Sequence, residues 1–371
     1  MRTAFPAPRP ARSEGSFHAR RLTVAPAVAL AVVAVFTLAA CASTATPSFS
    51  GPANQPFPSA QTSPSATPSP VPTASFPLTL TDDEGGTVAL PVVPARIVSL
   101  SPAHTEIAFA LGAGDKVVAT TDFDDYPPEV KSLPHVATYE GVDVEKVVGL
   151  RPDLVLAGGN GFTKPDAVTK LRSLHIPVLV TYAKDVAGVL QDIRLIGQTI
   201  GEPAKAADLA ASMRAGIDQI AAATATQSHP RTFYELDATK EIYGPAPNSF
   251  VAEMVSLAGG EPITTGNPAV FSISLEKLVA EDPQVIVLGD ANFGTTPAVV
   301  KARPGWGGMT AVKAGAIMPV DDTTITRPGP RLVEGLRVLA LAIHPDLVLP
   351  GASPSPSSDA TASPAAFVGA P

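Results

Sequence analysis

Sixteen residues of this chain occur twice. Asp143-Val-Glu-Lys-Val-Val-Gly-Leu-Arg-Pro-Asp-Leu-Val-Leu-Ala-Gly158 aligns without a gap on Ser274-Leu-Glu-Lys-Leu-Val-Ala-Glu-Asp-Pro-Gln-Val-Ile-Val-Leu-Gly289, 131 residues later. Each copy reads as an N-cap residue, a short helix, a proline that ends it, and an apolar run suited to a buried strand. A chain that carries this unit in both halves is expected to build two related α/β lobes. Glu145 and Glu276 occupy the same place in the two copies. A carboxylate in a first helical turn suits the helix dipole, and the pseudo-symmetry also sets one acid on each lobe.

The surrounding sequence supports two lobes. A hairpin is expected over Leu78 to Leu90, turning at Asp83-Glu84-Gly85-Gly86. Strands are expected at Ile97 to Leu100, Val117 to Thr120, Leu154 to Ala157 and Val178 to Tyr182, with helices at Pro102 to Leu111, Val144 to Leu150 and Asp166 to Leu174. Such alternation implies a parallel sheet. Then come about forty residues of nearly continuous helical periodicity, from Val186, Val189, Ile193, Ile196 and Ile200 to Leu209, Met213, Ile217 and Ile220. Gly201 and Pro203 punctuate the run. A second α/β region follows, with strands at Thr232 to Leu236, Val285 to Leu288 and Ile317 to Val320 and helices at Ser249 to Leu257, Leu275 to Ala280 and Arg331 to Ile343.

The N-terminus is of another kind. Arg2, Arg9, Arg12, Arg20 and Arg21 precede an uncharged apolar run from Leu22 to Ala40, which closes on Leu38-Ala39-Ala40-Cys41. A basic head, an apolar stretch and a small-residue exit read as a secretory signal. The closing residues resemble the lipobox cut by the bacterial lipoprotein signal peptidase, which makes Cys41 the lipidation site and the protein exported, held on the outer face of the membrane. Cys41 is the only cysteine, so the folded part is expected to hold by core burial without an internal disulfide. Residues 42–75 are rich in Ser, Thr, Pro and Ala and carry no charge, a composition for an unstructured stalk. The expected organisation is therefore a signal at 1–40, anchor and stalk at 41–75, a first lobe at 76–184, an interlobe helix at 185–225, a second lobe at 226–350 and a disordered tail at 351–371. Removing residues 1–40, with five arginines and one glutamate, moves the net charge from -8 to near -12. That balance disfavours nucleic acid as a partner.

Several segments carry a family resemblance. Arg96-Ile-Val-Ser-Leu-Ser-Pro-Ala-His-Thr-Glu106, Asp125-Tyr-Pro-Pro128, the two glutamate repeats and Arg327-Pro-Gly-Pro-Arg331 resemble the vitamin B12 and ferric-siderophore binding proteins of ABC importers, in order and over roughly residues 77–350. The resemblance implies two α/β lobes with parallel sheets joined by a single long helix, and a ligand cleft between them. It implies a non-catalytic, monomeric binder that hands a small-molecule metal chelate to the transmembrane subunit of an ABC permease, the chelate being cargo and no cofactor being resident. It also implies that Glu145 and Glu276 dock onto that permease.

Cleft contacts are expected from several positions. Ser101-Pro102 opens a helix just after a strand, where such folds place ligand, although a plain cap with proline at N1 reads the same. Phe123 and Tyr139 stand where the B12 binder carries cleft aromatics; Tyr243 and Phe271 are further candidates, and core packing is the alternative for each. His104 offers an imidazole to cobalt or iron, or serves as a polar wall. Arg327 and Arg331 oppose the dipole of the last helix, so an anion should compensate them: a ligand group, or an internal acid such as Asp321, Asp322 or Glu334. Trp306 reads as a packing residue. The chain departs from the B12 branch in having one tryptophan and in placing Gly158-Gly159 where a ring would sit. A corrinoid therefore stands slightly ahead of a ferric siderophore or heme. A stand-alone surface receptor is the second reading. An exported enzyme is the third, against which stands the lack of a phosphate loop, a nucleophile elbow or a paired metal motif.

Overall fold

A computed structural model describes residues 74–349, all within one compact unit. The signal segment, Cys41, almost all of the stalk and the tail lie outside the described residues. The chain enters through β1 (Leu78–Thr81) and β2 (Thr87–Leu90), an antiparallel hairpin with Leu80 opposite Val88. Buried Asp82 accepts from its own turn at Gly86 N, from Val180 N, and from Arg172 in an ion pair, which fastens the hairpin to the first lobe.

The first lobe follows the alternation. Its elements are β3 (Ile97–Ser99), α1 (Pro102–Ala110), β4 (Val117–Thr121), β5 (His135–Thr138), β6 (Gly141–Val142), α2 (Val144–Gly149), β7 (Leu154–Gly158), α3 (Pro165–Ser173) and β8 (Val178–Thr181). They form a six-stranded sheet of order β6-β5-β4-β3-β7-β8, parallel except for the short β6. Strands β7 and β8 are buried at every position, as an apolar run covered by helices on both faces requires.

The helical stretch after β8 is two helices rather than one. α4 (Val186–Ile200) begins at Asp185, whose carboxylate accepts from Gly188 N at 2.7 Å, and ends at Gly201 in the left-handed conformation, φ 87°. α5 (Pro203–Thr224) then doubles back along it: Ala187, Leu190 and Arg194 lie beside Ala211, Arg214, Ala215 and Asp218. At the bend Gly197 packs so close to Ala206 that an added Cβ would sit 2.2 Å from the alanine methyl. The single interlobe helix over 185–225 is thus a helical hairpin, and only α5 carries the chain into the second lobe. The cause lies in the apolar faces of both helices, which bury against each other once Gly201 permits the reversal.

The second lobe comprises β9 (Arg231–Glu235), β10 (Ile242–Tyr243), α6 (Phe250–Leu257), β11 (Glu261–Pro262), β12 (Ser272–Ile273), α7 (Leu275–Glu281), β13 (Val285–Leu288), α8 (Pro297–Ala302), α9 (Thr310–Ala314), β14 (Ile317–Pro319) and α10 (Leu332–Ile343). Its sheet, β11-β9-β13-β14, is wholly parallel, and β10 with β12 forms a separate antiparallel ribbon. Asp143 and Ser274 cap α2 and α7 in the same way, accepting from Lys146 N and Lys277 N, so the repeat is structural as well as textual.

Alternate residues of the core strands go to different cores. Val98, Val155 and Val178 face α2 and α3; Phe233, Ile286 and Leu288 face the outer helices of the second lobe, around Trp306. Ile97, Leu154, Leu156 and Leu179 point the other way, as do Tyr234, Val285 and Val287, and all join one apolar body with α1, α4, α5, α6 and α10. The two lobes therefore share a core.

Candidate functional site

A cavity of about 840 Å³ opens between the lobes, at the carboxyl ends of the parallel strands. Open α/β sheets place ligands at this end, because loops there are free of the ladder and helix N-termini point toward it. The first lobe contributes Ser101 to His104 after β3, Phe123 after β4, Gly158 to Phe162 after β7, Thr181 to Ala183 after β8, and Asp192 from α4. From the second lobe come Phe250, Phe293 after β13, and Asp322, Thr323 and Thr326 to Pro328 after β14.

Ser101, Pro102, His104, Phe123 and Arg327 line this cavity. Ser101 has extended backbone angles and makes no side-chain cap, and Pro102 stands at the start of α1. Phe123 sits on a turn tied by Asp124, which accepts from Thr121 N at 2.9 Å and Thr121 Oγ1 at 2.6 Å. Its ring is 44% exposed. Tyr139, Tyr243 and Phe271 do not line the cavity. Tyr139 caps the tight β5-β6 turn at the sheet's edge and is 89% exposed. Tyr243 and Phe271 belong to the β10-β12 ribbon, where Phe271 O accepts from Gly244 N and the Tyr243 hydroxyl donates to Glu241. Trp306 is 3% exposed, packed in the second-lobe core beneath Arg303, as expected of a packing residue.

Four further aromatics line the cavity: Phe162, Tyr182, Phe250 and Phe293. Phe162 and Phe293 are 131 residues apart, the spacing of the repeat continued four positions past Gly158 and Gly289. That extension was the available signal. The bare Gly158 has a purpose here: a Cβ on it would meet the Phe162 ring at 2.9 Å, so Phe162 occupies space that a larger residue would deny it.

The floor of the cavity is polar. His104 Nε2 lies 2.8 Å from Thr181 Oγ1, and its Nδ1 has no partner among the described residues. Burial lowers its pKa to about 4, so the imidazole is neutral at neutral pH. Asp192, 6% exposed, has its pKa raised to about 8 by burial first and by the charge of Asp83 next, with a Thr181 hydrogen bond opposing. Asp322 is also raised by burial, while it accepts from the Tyr234 hydroxyl and from Thr326 Oγ1 at 2.8 Å.

The anion expected beside Arg327 and Arg331 is neither Asp321, Asp322 nor Glu334. It is Glu106, on α1 of the other lobe. Arg327 Nη1 donates to Glu106 Oε1 and to Asp125 Oδ1, each at 2.7 Å. Arg331 donates through Nε and Nη2 to both Glu106 oxygens, at 3.0 and 2.6 Å, and lies over the Tyr126 ring. Arg331 does not line the cavity. The pairing spans more than 200 residues of sequence, beyond the reach of any local pattern. Glu145 and Glu276 lie far from this chemistry in kind. Each is exposed in the first turn of its helix, and neither pairs with another side chain among the described residues.

Among the described residues, no group of His, Cys, Asp or Glu is suited to hold a metal ion. The arrangement is built to hold something between two walls. The chain belongs to the periplasmic binding protein family, whose model matches residues 97–324; its members are substrate-binding proteins and not enzymes. Among its relatives is YvrC of Bacillus subtilis, described as an uncharacterized ABC transporter substrate-binding lipoprotein, 36% identical over 74% of this chain and 88% of that protein. The vitamin B12-binding protein of Yersinia pseudotuberculosis is 30% identical over 66% of this chain and 86% of the relative. Similar solved structures include the vitamin B12-binding protein BtuF of Vibrio cholerae (27% identical, TM-score 0.59, covering 67% of this chain and 96% of that one). The heme-binding protein RhuT of Roseiflexus is another (28% identical, TM-score 0.60, 67% and 98%).

Proposed function

We propose that this protein is the extracytoplasmic solute-binding subunit of an ABC importer, anchored through a lipid on Cys41, acting as a monomer and delivering a flat metal chelate to its permease. The cleft carries the reading. Two phenylalanines at equivalent places in the lobes, Phe162 and Phe293, line one cavity with Phe123, Tyr182 and Phe250. Aromatic faces presented from both sides suit a broad, planar, partly apolar ligand, and the cavity volume lies toward the upper end for small-molecule sites.

A corrinoid is the preferred cargo, ahead of a ferric siderophore or heme. The Ser-Pro-Ala and Tyr-Pro-Pro segments resemble the B12 branch, and both a sequence relative and a structural neighbour are vitamin B12-binding proteins. No helix among the described residues is long and apolar enough to cross a membrane, so a tether at Cys41 would supply the local concentration that makes delivery efficient.

Glu145 and Glu276 are the docking residues in this reading: exposed, without a side-chain partner among the described residues, and identically placed on α2 and α7. Charge reversal of both, Glu145→Lys with Glu276→Lys, is expected to abolish cellular uptake of cyanocobalamin while the purified protein retains its affinity by titration. Undiminished uptake by the double variant would remove the docking assignment. Alanine at both Phe162 and Phe293 is expected to weaken ligand binding at least tenfold, about 1.4 kcal/mol or more.

A further inference from the structure

Arg327 is the only lysine or arginine among the described residues that line the cleft. A cation in such a place ordinarily anchors a carboxylate, phosphate or catecholate. Here its charge is already met. One guanidinium nitrogen serves both Glu106 and Asp125, and Glu106 in turn holds Arg331 through both oxygens. Two acids face two arginines, and the cluster is formally neutral. Glu106 is 3% exposed and comes from one lobe, both arginines from the other. The remaining ionisable groups of the wall are two acids, Asp192 and Asp322, the phenol of Tyr182 and a neutral imidazole. Among the described residues no uncompensated positive charge meets the cavity.

We propose that Glu106 and Asp125 set the charge specificity of the cleft: by neutralising Arg327 they make it select a metal chelate with an uncharged, carboxamide-type rim and reject anionic chelates. This rests on the cleft being the ligand site. An anion that captured Arg327 would leave buried Glu106 with Arg331 alone and take from Asp125 its partner, so the new ion pair forms at the expense of two existing ones, one of them buried. A neutral carbonyl imposes no such exchange. The Nε and Nη2 donors of Arg327 bond to no other described residue, and a carbonyl oxygen accepts from them with the cluster intact. Glu106 and Asp125 are positioning residues, acting on the ligand through Arg327.

The test compares affinities within one protein. The full-length chain, wild type and as Glu106→Gln and Asp125→Asn variants, is titrated with cyanocobalamin, with hemin (two propionates) and with a ferric tris-catecholate of charge -3. Wild type should bind cyanocobalamin at least about tenfold more tightly than either anion. Each variant should raise the ratio of anion to cyanocobalamin affinity, by about tenfold for Glu106→Gln and less for the half-exposed Asp125, with the gain shrinking as salt is added. A merely structural role would lower all three affinities and leave the ratio unmoved. Should Glu106→Gln fail to fold, Asp125→Asn carries the test, since Glu106 still pairs both arginines in it. Equal affinities in wild type, or an unchanged ratio in the folded variants, overturns the proposal. Binding of an anion alone also overturns it but leaves the cleft as ligand site, whereas binding of none of the three overturns both.

Discussion

At the residue scale, the cavity floor holds two groups whose protonation opposes habit. His104 titrates near 4 in the fold against 6.5 ordinarily. Between these values the unfolded chain binds a proton that the folded chain refuses, so stability falls as pH drops from 6.5 toward 4. Asp192 titrates near 8 against 3.8. There the folded chain keeps a proton that the unfolded chain has released, and stability falls as pH rises from 4 toward 8. The two slopes oppose each other below 6.5, and only that of Asp192 remains above it. Asn imitates the protonated carboxyl at all pH values. Asp192→Asn is therefore expected to stabilise the protein more at pH 8 than at pH 5, by on the order of 2 kcal/mol, a fraction of what the full shift would allow. Urea unfolding at the two pH values checks this, and an equal gain at both would count against a protonated Asp192. The same proton lets Asp192 share a hydrogen bond with Asp83 at neutral pH, where two carboxylates would otherwise repel.

At the element scale, α10 controls the cleft loop that carries Arg327. Gly335 lies at the end of the first turn of α10, where a Cβ would come within 2.1 Å of the Thr324 carbonyl oxygen. Alanine normally improves a helix interior over glycine by about 1 kcal/mol. Here the obstacle is backbone, which cannot swing aside, so Gly335→Ala is expected to destabilise by about 2–3 kcal/mol and to weaken ligand binding by displacing the loop after β14. Gly149→Ala on α2, with open space around it, is the control and should be neutral or stabilising. Thermal melts of the two variants give the comparison. The same elements show what sequence can and cannot disclose. The core strands were legible because both of their faces are buried, which leaves unbroken runs such as Val285-Ile-Val-Leu288. β5, β6, β10, β11 and β12 were not, since none carries an unbroken buried apolar run of its own and their pairing is fixed by their neighbours. Gly201 and Pro203 marked a break between α4 and α5. That the second helix folds back on the first depends on contacts such as Gly197 against Ala206, which periodicity does not encode. In the site, Phe123 and Arg327 were reachable by motif. Phe162 and Phe293 needed the repeat carried four residues further, and the partner of Arg327 needed the fold itself.

At the scale of the whole molecule, the shared core determines how the protein can respond to its ligand. Hinged two-lobe binders close by large rotations because their lobes have separate cores linked by flexible strands. Here one apolar body runs from the first sheet through α1, α4, α5, α6 and α10 to the second. Polar contacts fasten the lobes as well: Glu106 and Asp125 with the arginines, and Glu253 on α6, which accepts from Val186 N at the start of α4 at 2.7 Å. Opening the cleft by a hinge would expose core and break buried ion pairs at once, so ligand binding is expected to leave the lobes nearly where they are. Spin labels on cysteines at the exposed Lys131 and Lys301, one on each lobe, with Cys41 replaced, measure this directly. The interlobe distance should change by less than about 3 Å on addition of cyanocobalamin, whereas a hinge closure moves such a pair by about 10 Å or more. A permease that docks onto Glu145 and Glu276 would then recognise much the same spacing in loaded and empty protein, and the signal that cargo is present would have to come from the cleft mouth, where a ligand held as proposed would bridge the walls that Phe162 and Phe293 present.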